Sequence, residues 1–214
     1  MDLAHLQDRI SWGMNIAARA IGLYADAYRP ENAFDPLSRR NRYLRLHTAF
    51  AASHGHFARA VEHGEALWQG VFDTAYTRPG DYLVRNDGTW FIAAQQLLLP
   101  VLCVRTTRTV SFSRPAAQSA NGINDYGGMT ASTLVPLLRN WPASVVAGSG
   151  GSRTTAGLPS DATVPYWTVL LPAVHGCVLR SADVMTDDLD RNAVVGSAEL
   201  TDLGWRLIVR QAAT

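Results

Sequence analysis

Apolar and polar positions follow their most regular pattern between Gly80 and Pro115, and this stretch predicts a β-meander. Tyr82-Leu83-Val84 is a short apolar run, Asn86-Asp87-Gly88 is a tight-turn signal, and Trp90-Phe91-Ile92 is a second run rich in strand formers. After Leu97–Leu99, Pro100 interrupts the ladder; Val101-Leu102-Cys103-Val104 and then Thr109-Val110-Ser111-Phe112 restart it with β-branched and aromatic residues. Ala66 to Phe72 reads as a strand leading into the meander. Tyr43, Leu44, Leu46 and Phe50 suit a strand or a short helix equally. Residues 42–115 are thus the first β-module.

The periodicity changes upstream. From Asp2 to about Leu23, Leu3, Leu6, Ile10, Met14, Ala17 and Ile21 recur every three or four positions and fall on one stripe of a helix. Trp12, Ile16 and Ala20 widen the stripe, and Gly22 supplies a stop. Such a helix packs either on a partner or on the core of its own chain. Tyr24 to Asn41, with Pro30, Asn32, Asp35 and Pro36, reads as an extended arm, so residues 1–41 are expected to be a helix and arm.

Downstream of the meander, Ser119, Asn121, Gly122, Asn124, Asp125, Gly127 and Gly128 mark a loop. Leu134, Val135, Leu137, Leu138 and Trp141 suggest a helical turn or two despite Pro136, and residues 142–163 are again loop-like, making 116–163 a loop-rich linker with a short helix. From residue 164 to 214 strand character returns in Tyr166–Leu171, Cys177–Leu179, Asp183–Met185, Ala193–Val195 and Trp205–Val209. The predicted fold class is mainly β with an N-terminal helix, as antiparallel sandwich or barrel-like modules joined by long loops.

Composition narrows this picture only modestly. The 214 residues make one larger domain or two small ones, and a hydrophobic fraction of 47% suits a globular core. A net charge of +1 gives no electrostatic reason for a nucleic-acid or anionic-membrane partner. Cys103 and Cys177 both lie in apolar runs and read as buried thiols rather than a disulfide. No charged-then-apolar leader opens the chain, and no apolar run reaches the roughly 20 residues that a membrane-spanning helix needs, so the expectation is a soluble chain, intracellular when made.

Candidate chemistry is sparse. His47, His54, His56 and His63, with Glu62 and Glu65 nearby, are the one cluster suggesting a metal-dependent enzyme, but no His-Glu-x-x-His spacing or second ligand motif fixes a geometry. Arg39, Arg40, Arg42 and Arg45 suit phosphate contact in a nucleic-acid-binding module or, more simply, a solvated or carboxylate-paired face. Neither glycine-rich loop carries the Lys-Ser/Thr of a phosphate-binding loop. No Gly-x-Ser-x-Gly elbow occurs, and Ser53 beside His54 has no third partner. Asp187, Asp188 and Asp190 lack the terminal Glu of a calcium loop and read as an acidic hairpin turn. The residues therefore favour a non-catalytic β-protein with no cofactor and no metal.

Asp81–Val84, Asp87-Gly88 and Thr89–Ile92 also resemble Asp183–Thr186, Asp188 and Asn192–Val195: an acidic residue opens a short strand, a polar turn follows, and a second apolar strand returns. Internal duplication and chance hairpin grammar both produce such a match. Residues 182–210, with Gly204-Trp205-Arg206-Leu207, resemble small virion proteins of tailed bacteriophages, where Gly-Asp-apolar hairpins ending in Gly-Trp-x-Leu recur in neck, head-completion and tail-attachment components. Gly80–Arg105 and Trp68–Asp73 resemble the same group, while Ala182, Asp190 and Asn192-Ala193 depart from its pattern.

The resemblance implies a non-enzymatic subunit of a phage virion, a head-tail connector forming a ring at the head-to-tail junction or in the tail. Its implied partners are identical subunits and other virion proteins (portal, neck or tail components), with nucleic acid present only as passing DNA and no membrane. The implied interface draws on Leu6, Ile10, Trp12, Met14, Tyr28 and Phe34 from the helix and arm, with Tyr126 from the 116–128 loop.

Overall fold

The computed structural model describes residues 3–52, 66–96, 98–116, 134–147 and 166–212. One helix, α1 (Leu3–Ile21), precedes twelve strands: β1 (Leu23–Tyr28), β2 (Arg42–Ala52), β3 (Leu67–Val71), β4 (Tyr82–Arg85), β5 (Gly88–Ala94), β6 (Val101–Arg105), β7 (Arg108–Pro115), β8 (Leu134–Ala147), β9 (Tyr166–Leu171), β10 (Val184–Asp187), β11 (Asn192–Thr201) and β12 (Gly204–Gln211). They form two closed antiparallel barrels, ordered β1-β2-β3-β6-β5-β4 and β7-β8-β9-β12-β11-β10. The second order is the first advanced by six strands.

The registers repeat as well. Leu23 stands opposite Thr48 as Arg108 stands opposite Ala143, and Tyr28 opposite Tyr82 as Ser113 opposite Val184. Ala52 faces Trp68, which faces Cys103; Ala147 faces Trp167, which faces Val209. Even the bulge recurs, just after Ile92 in β5 and just after Val195 in β11. A one-residue slip would turn every side chain to the other face. Agreement through the six strands, apart from one extra residue in β8 opposite Val110 and Phe112, is the mark of an internal duplication, of which the two acidic hairpins are one visible piece.

Alternate residues fill each interior. Ala25, Ala27, Leu46, Leu83, Trp90, Ile92 and Cys103 in the first barrel correspond to Val110, Phe112, Trp141, Met185, Ala193, Val195 and Val209 in the second, all buried. Bulk has moved between strands: of these positions the first barrel has tryptophan on β5 and alanines on β1, whereas the second has Phe112 and Trp141 on β7 and β8 and alanine on β11. Exchanges that conserve volume keep a barrel filled.

The barrels share a seam. Tyr82, Phe91 and Val104 point away from the first interior, yet they are buried in one continuous cluster with the core of the second barrel. The Tyr82 hydroxyl donates to the Pro142 carbonyl at 2.8 Å, and its ring meets Trp141 edge-on at 6.0 Å. Trp141 Nε1 donates to the Ala33 carbonyl at 2.7 Å, and the Arg139 amide also donates to Ala33. At the corresponding outer positions the second barrel has the half-buried Val184 and the exposed Val194 and Arg210.

Several sequence expectations are corrected. The arm's first residues are the barrel strand β1, and its remainder packs on the second barrel through Ala33, Phe34 and Asp35. The ambiguous 43–50 stretch is β2. The helical turn expected at 133–141 is instead β8, which extends through Ala147 into the expected loop. A bulge lets two β7 residues, Val110 and Phe112, face Trp141 and Leu138, so inward positions three apart imitate a helical period. Cys177–Leu179 lies outside any strand. Thr109–Phe112, read as the end of the first module, belongs to β7, the opening strand of the second barrel.

Candidate functional site

Each barrel is latched by a buried aspartate at the mouth of the strand that closes it. Asp81 and Asp183 immediately precede β4 and β10, and each side chain is 1% exposed. Arg29 donates to both Asp81 oxygens (2.9 and 2.7 Å) and to the Tyr76 carbonyl. Arg114 does the same with Asp183 (2.7 and 2.9 Å) and the Val178 carbonyl. The amides of Arg78 and Arg180 add a further bond to each carboxylate. Each arginine is followed by a proline, Pro30 or Pro115, which restricts the arginine's backbone to extended conformations. Gly80 (φ 93°) and Ala182 (φ 71°) turn the chain in the left-handed region just before the aspartate.

The Gly-Asp element that carries the phage resemblance is therefore a fold latch. In the first barrel Tyr43 joins it, with its hydroxyl on Asp81 at 2.7 Å and Arg29 stacked 4.4 Å from its ring centre. The hydrogen bond to Asp81 raises the Arg29 pKa, and burial followed by the same carboxylate pushes the Tyr43 phenol up. Both oxygens of each carboxylate are thus engaged by donors that belong to the fold.

Around this latch lies a cleft of about 430 Å³ between the barrels, lined by Arg29, Glu31, Asn32, Arg78, Trp141 and His175. Its charges are mixed. The mouth of the first barrel is closed by a stack: Phe50 lies on Trp90 (4.3 Å, 10°), Arg85 covers both rings, and Arg105 covers Trp90 and Trp68. In the second barrel Arg191 covers Trp167 at 5.1 Å.

The predicted interface residues divide. Leu6, Ile10 and Met14 are half-buried, whereas Trp12 is 68% and Ile16 49% exposed. The residues α1 buries against the barrel are Ser11, hydrogen-bonded to Thr74 at 2.6 Å, and Ala18. The stripe is thus split: Leu6, Ile10 and Met14 are partly covered, while Trp12 and Ile16, which widen it, face outward, and a small-residue face lies on β2 and β3. Tyr28 is half-buried at the seam, and Phe34 bridges to Arg139 in the same chain. Tyr126 lies outside the described residues.

His47 stands on β2 with its ring 4.0 Å from Tyr24, while Ser53, His54, His56, Glu62, His63 and Glu65 lie outside the described residues. Among the described residues no three His, Cys, Asp or Glu side chains are placed to share a metal. Arg42 and Arg45 both pair with Asp26 (2.7 and 3.6 Å), the carboxylate-paired alternative to phosphate contact. Asp187 accepts the Leu189 and Arg191 amides and the Arg191 guanidinium, so it organises its own turn. Arg29 and Arg114 escaped the sequence reading; their signal was an Arg-Pro pair at matching places in a repeat seen only in its hairpins. No helix of the described residues is long and apolar enough to cross a membrane. No family model, curated protein or solved structure matches the chain.

Proposed function

We propose that this protein is a non-enzymatic structural subunit of a tailed-phage virion, assembling with identical copies into a ring at the head-to-tail junction or in the tail. The observation that carries the reading is the orientation of α1. A helix that seats Ser11 and Ala18 on its own barrel and turns Trp12 and Ile16 to solvent leaves its costliest surface for another molecule to cover. Two barrels locked across a shared aromatic core supply a stiff mount for that surface. The buried, arginine-paired Asp81 and Asp183 latches give the motif behind the phage resemblance a building role, in keeping with a subunit that holds a position.

Sedimentation velocity and negative-stain electron microscopy of the purified chain test the proposal together. A closed ring with a fixed number of copies is expected. A monomer at every concentration reached, in the presence and absence of other virion components, would sink it.

A further inference from the structure

We infer that the outward face of α1 docks in the apolar pocket at the barrel seam of a second copy, with Trp12 as the inserted side chain; this deepens the ring reading and rests on it. The pocket, about 250 Å³, is lined by Leu99, Pro100, Val101 and Leu102 of the first barrel and by Leu203 of the second. Leu99 is 55% and Leu203 42% exposed, so apolar surface is open at the rim as well as inside. Trp12 belongs to none of this lining in its own chain. An indole is a rigid, largely apolar body with one polar edge, suited to filling such a pocket as an interface anchor.

Charge supports the same occupant. The described helix carries Arg9 and Arg19 against a single carboxylate, Asp8; Arg9 and Arg19 flank Trp12 and Ile16 one turn away on either side. The β11–β12 hairpin that contributes Leu203 carries exposed Glu199 and Asp202, with Arg206 opposite Glu199 on β12. The helix sets two arginines and one aspartate around an aromatic knob, and the uncharged apolar pocket has its Leu203 at a hairpin tip with two carboxylates and one arginine. The two are complementary in shape class and, by one net charge each, in sign. Because the two patches differ, the contact is heterologous, and a heterologous contact that closes on itself generates a ring.

The test uses charge reversal in full-length chains. One variant carries Arg9→Glu and Arg19→Glu, the other Glu199→Arg and Asp202→Arg; circular dichroism checks that each is folded. Sedimentation velocity should show wild type as the ring, each variant alone as monomer, and an equimolar mixture reassembled, since each mismatched patch then meets its opposite. Trp12→Asp should also give monomer. If wild type forms rings and the variants do so equally, or if the mixture stays monomeric, this contact is overturned while the ring reading stands. If wild type itself never assembles, the ring reading fails and carries this contact down with it.

Discussion

Ala182 holds φ 71° where the equivalent turn of the first barrel uses Gly80 at 93°, and a left-handed backbone costs an L-residue about 1–2 kcal/mol. Ala182→Gly is therefore expected to stabilise the protein by about 1 kcal/mol in urea unfolding, and Gly80→Ala, with open space around its Cβ, to destabilise it by a similar amount. Gly204→Ala is a harsher change: at φ 111° an added Cβ also collides with the Leu171 carbonyl, so a loss above about 2 kcal/mol is expected.

The latches are asymmetric as well. Removing Arg114 strands a fully buried Asp183, expected to cost about 3–5 kcal/mol, whereas Asp183→Asn leaves an arginine that still reaches water and the Val178 carbonyl and should cost less. An equal loss from the two would contradict this account.

Asp187 ties stability to pH. Burial alone would raise its carboxyl, but the Arg191 side chain and the Arg191 and Leu189 amides outweigh burial and hold it below the ordinary value. Its folded pKa lies under the unfolded one, so its contribution is complete above the unfolded value, about 3.9, and fades as pH falls through the folded value. Asp187→Asn should flatten the acid limb of a stability profile below about pH 4 and leave its shape near neutrality unchanged. At this scale the sequence showed that acidic residues open both hairpins, but the arginines that saturate them stand tens of positions away and enter only through barrel closure.

Elements were legible where one face of a regular strand is buried. Tyr82–Val84 and Trp90–Ile92 became β4 and β5 because their runs and intervening turn obey local rules. β8 was not, because the bulge opposite Val110 and Phe112 spaces Leu138 and Trp141 like a helix, and only cross-strand pairing decides between the periods. The arm misled for a related reason: Ala25 and Ala27 are too small to announce a core, yet both are buried in the cluster that holds Leu83, Trp90 and Ile92. The helix was correctly placed, but its orientation depends on what it rests upon. Ile16→Ser is accordingly expected to leave monomer stability within about 0.5 kcal/mol of wild type in thermal unfolding, as an exposed site should.

Across the whole molecule, the duplication explains why the two barrels differ on their outer faces. Tyr82, Phe91 and Val104 are apolar because the second barrel covers them, and Val194 and Arg210 face water in the same places. Phe91→Ala is expected to cost about 3–5 kcal/mol, with far- and near-ultraviolet circular dichroism still melting in one transition, since the aromatic core is common to both barrels. Two separated transitions in the wild type would show that the seam does not couple them. Tyr82→Phe, which keeps the ring and removes the bond to Pro142, should cost about 1 kcal/mol.

Closure of both sheets bears on how such a molecule ages and accumulates. Each strand is hydrogen-bonded to a neighbour on either side, β1 to β4 in one barrel and β7 to β10 in the other. No main-chain ladder is left free along the described sheets to template a foreign strand, the usual opening to fibrils. A chain whose sheets close in this way can thus reach high local concentration with its associations left to side chains rather than to strand pairing.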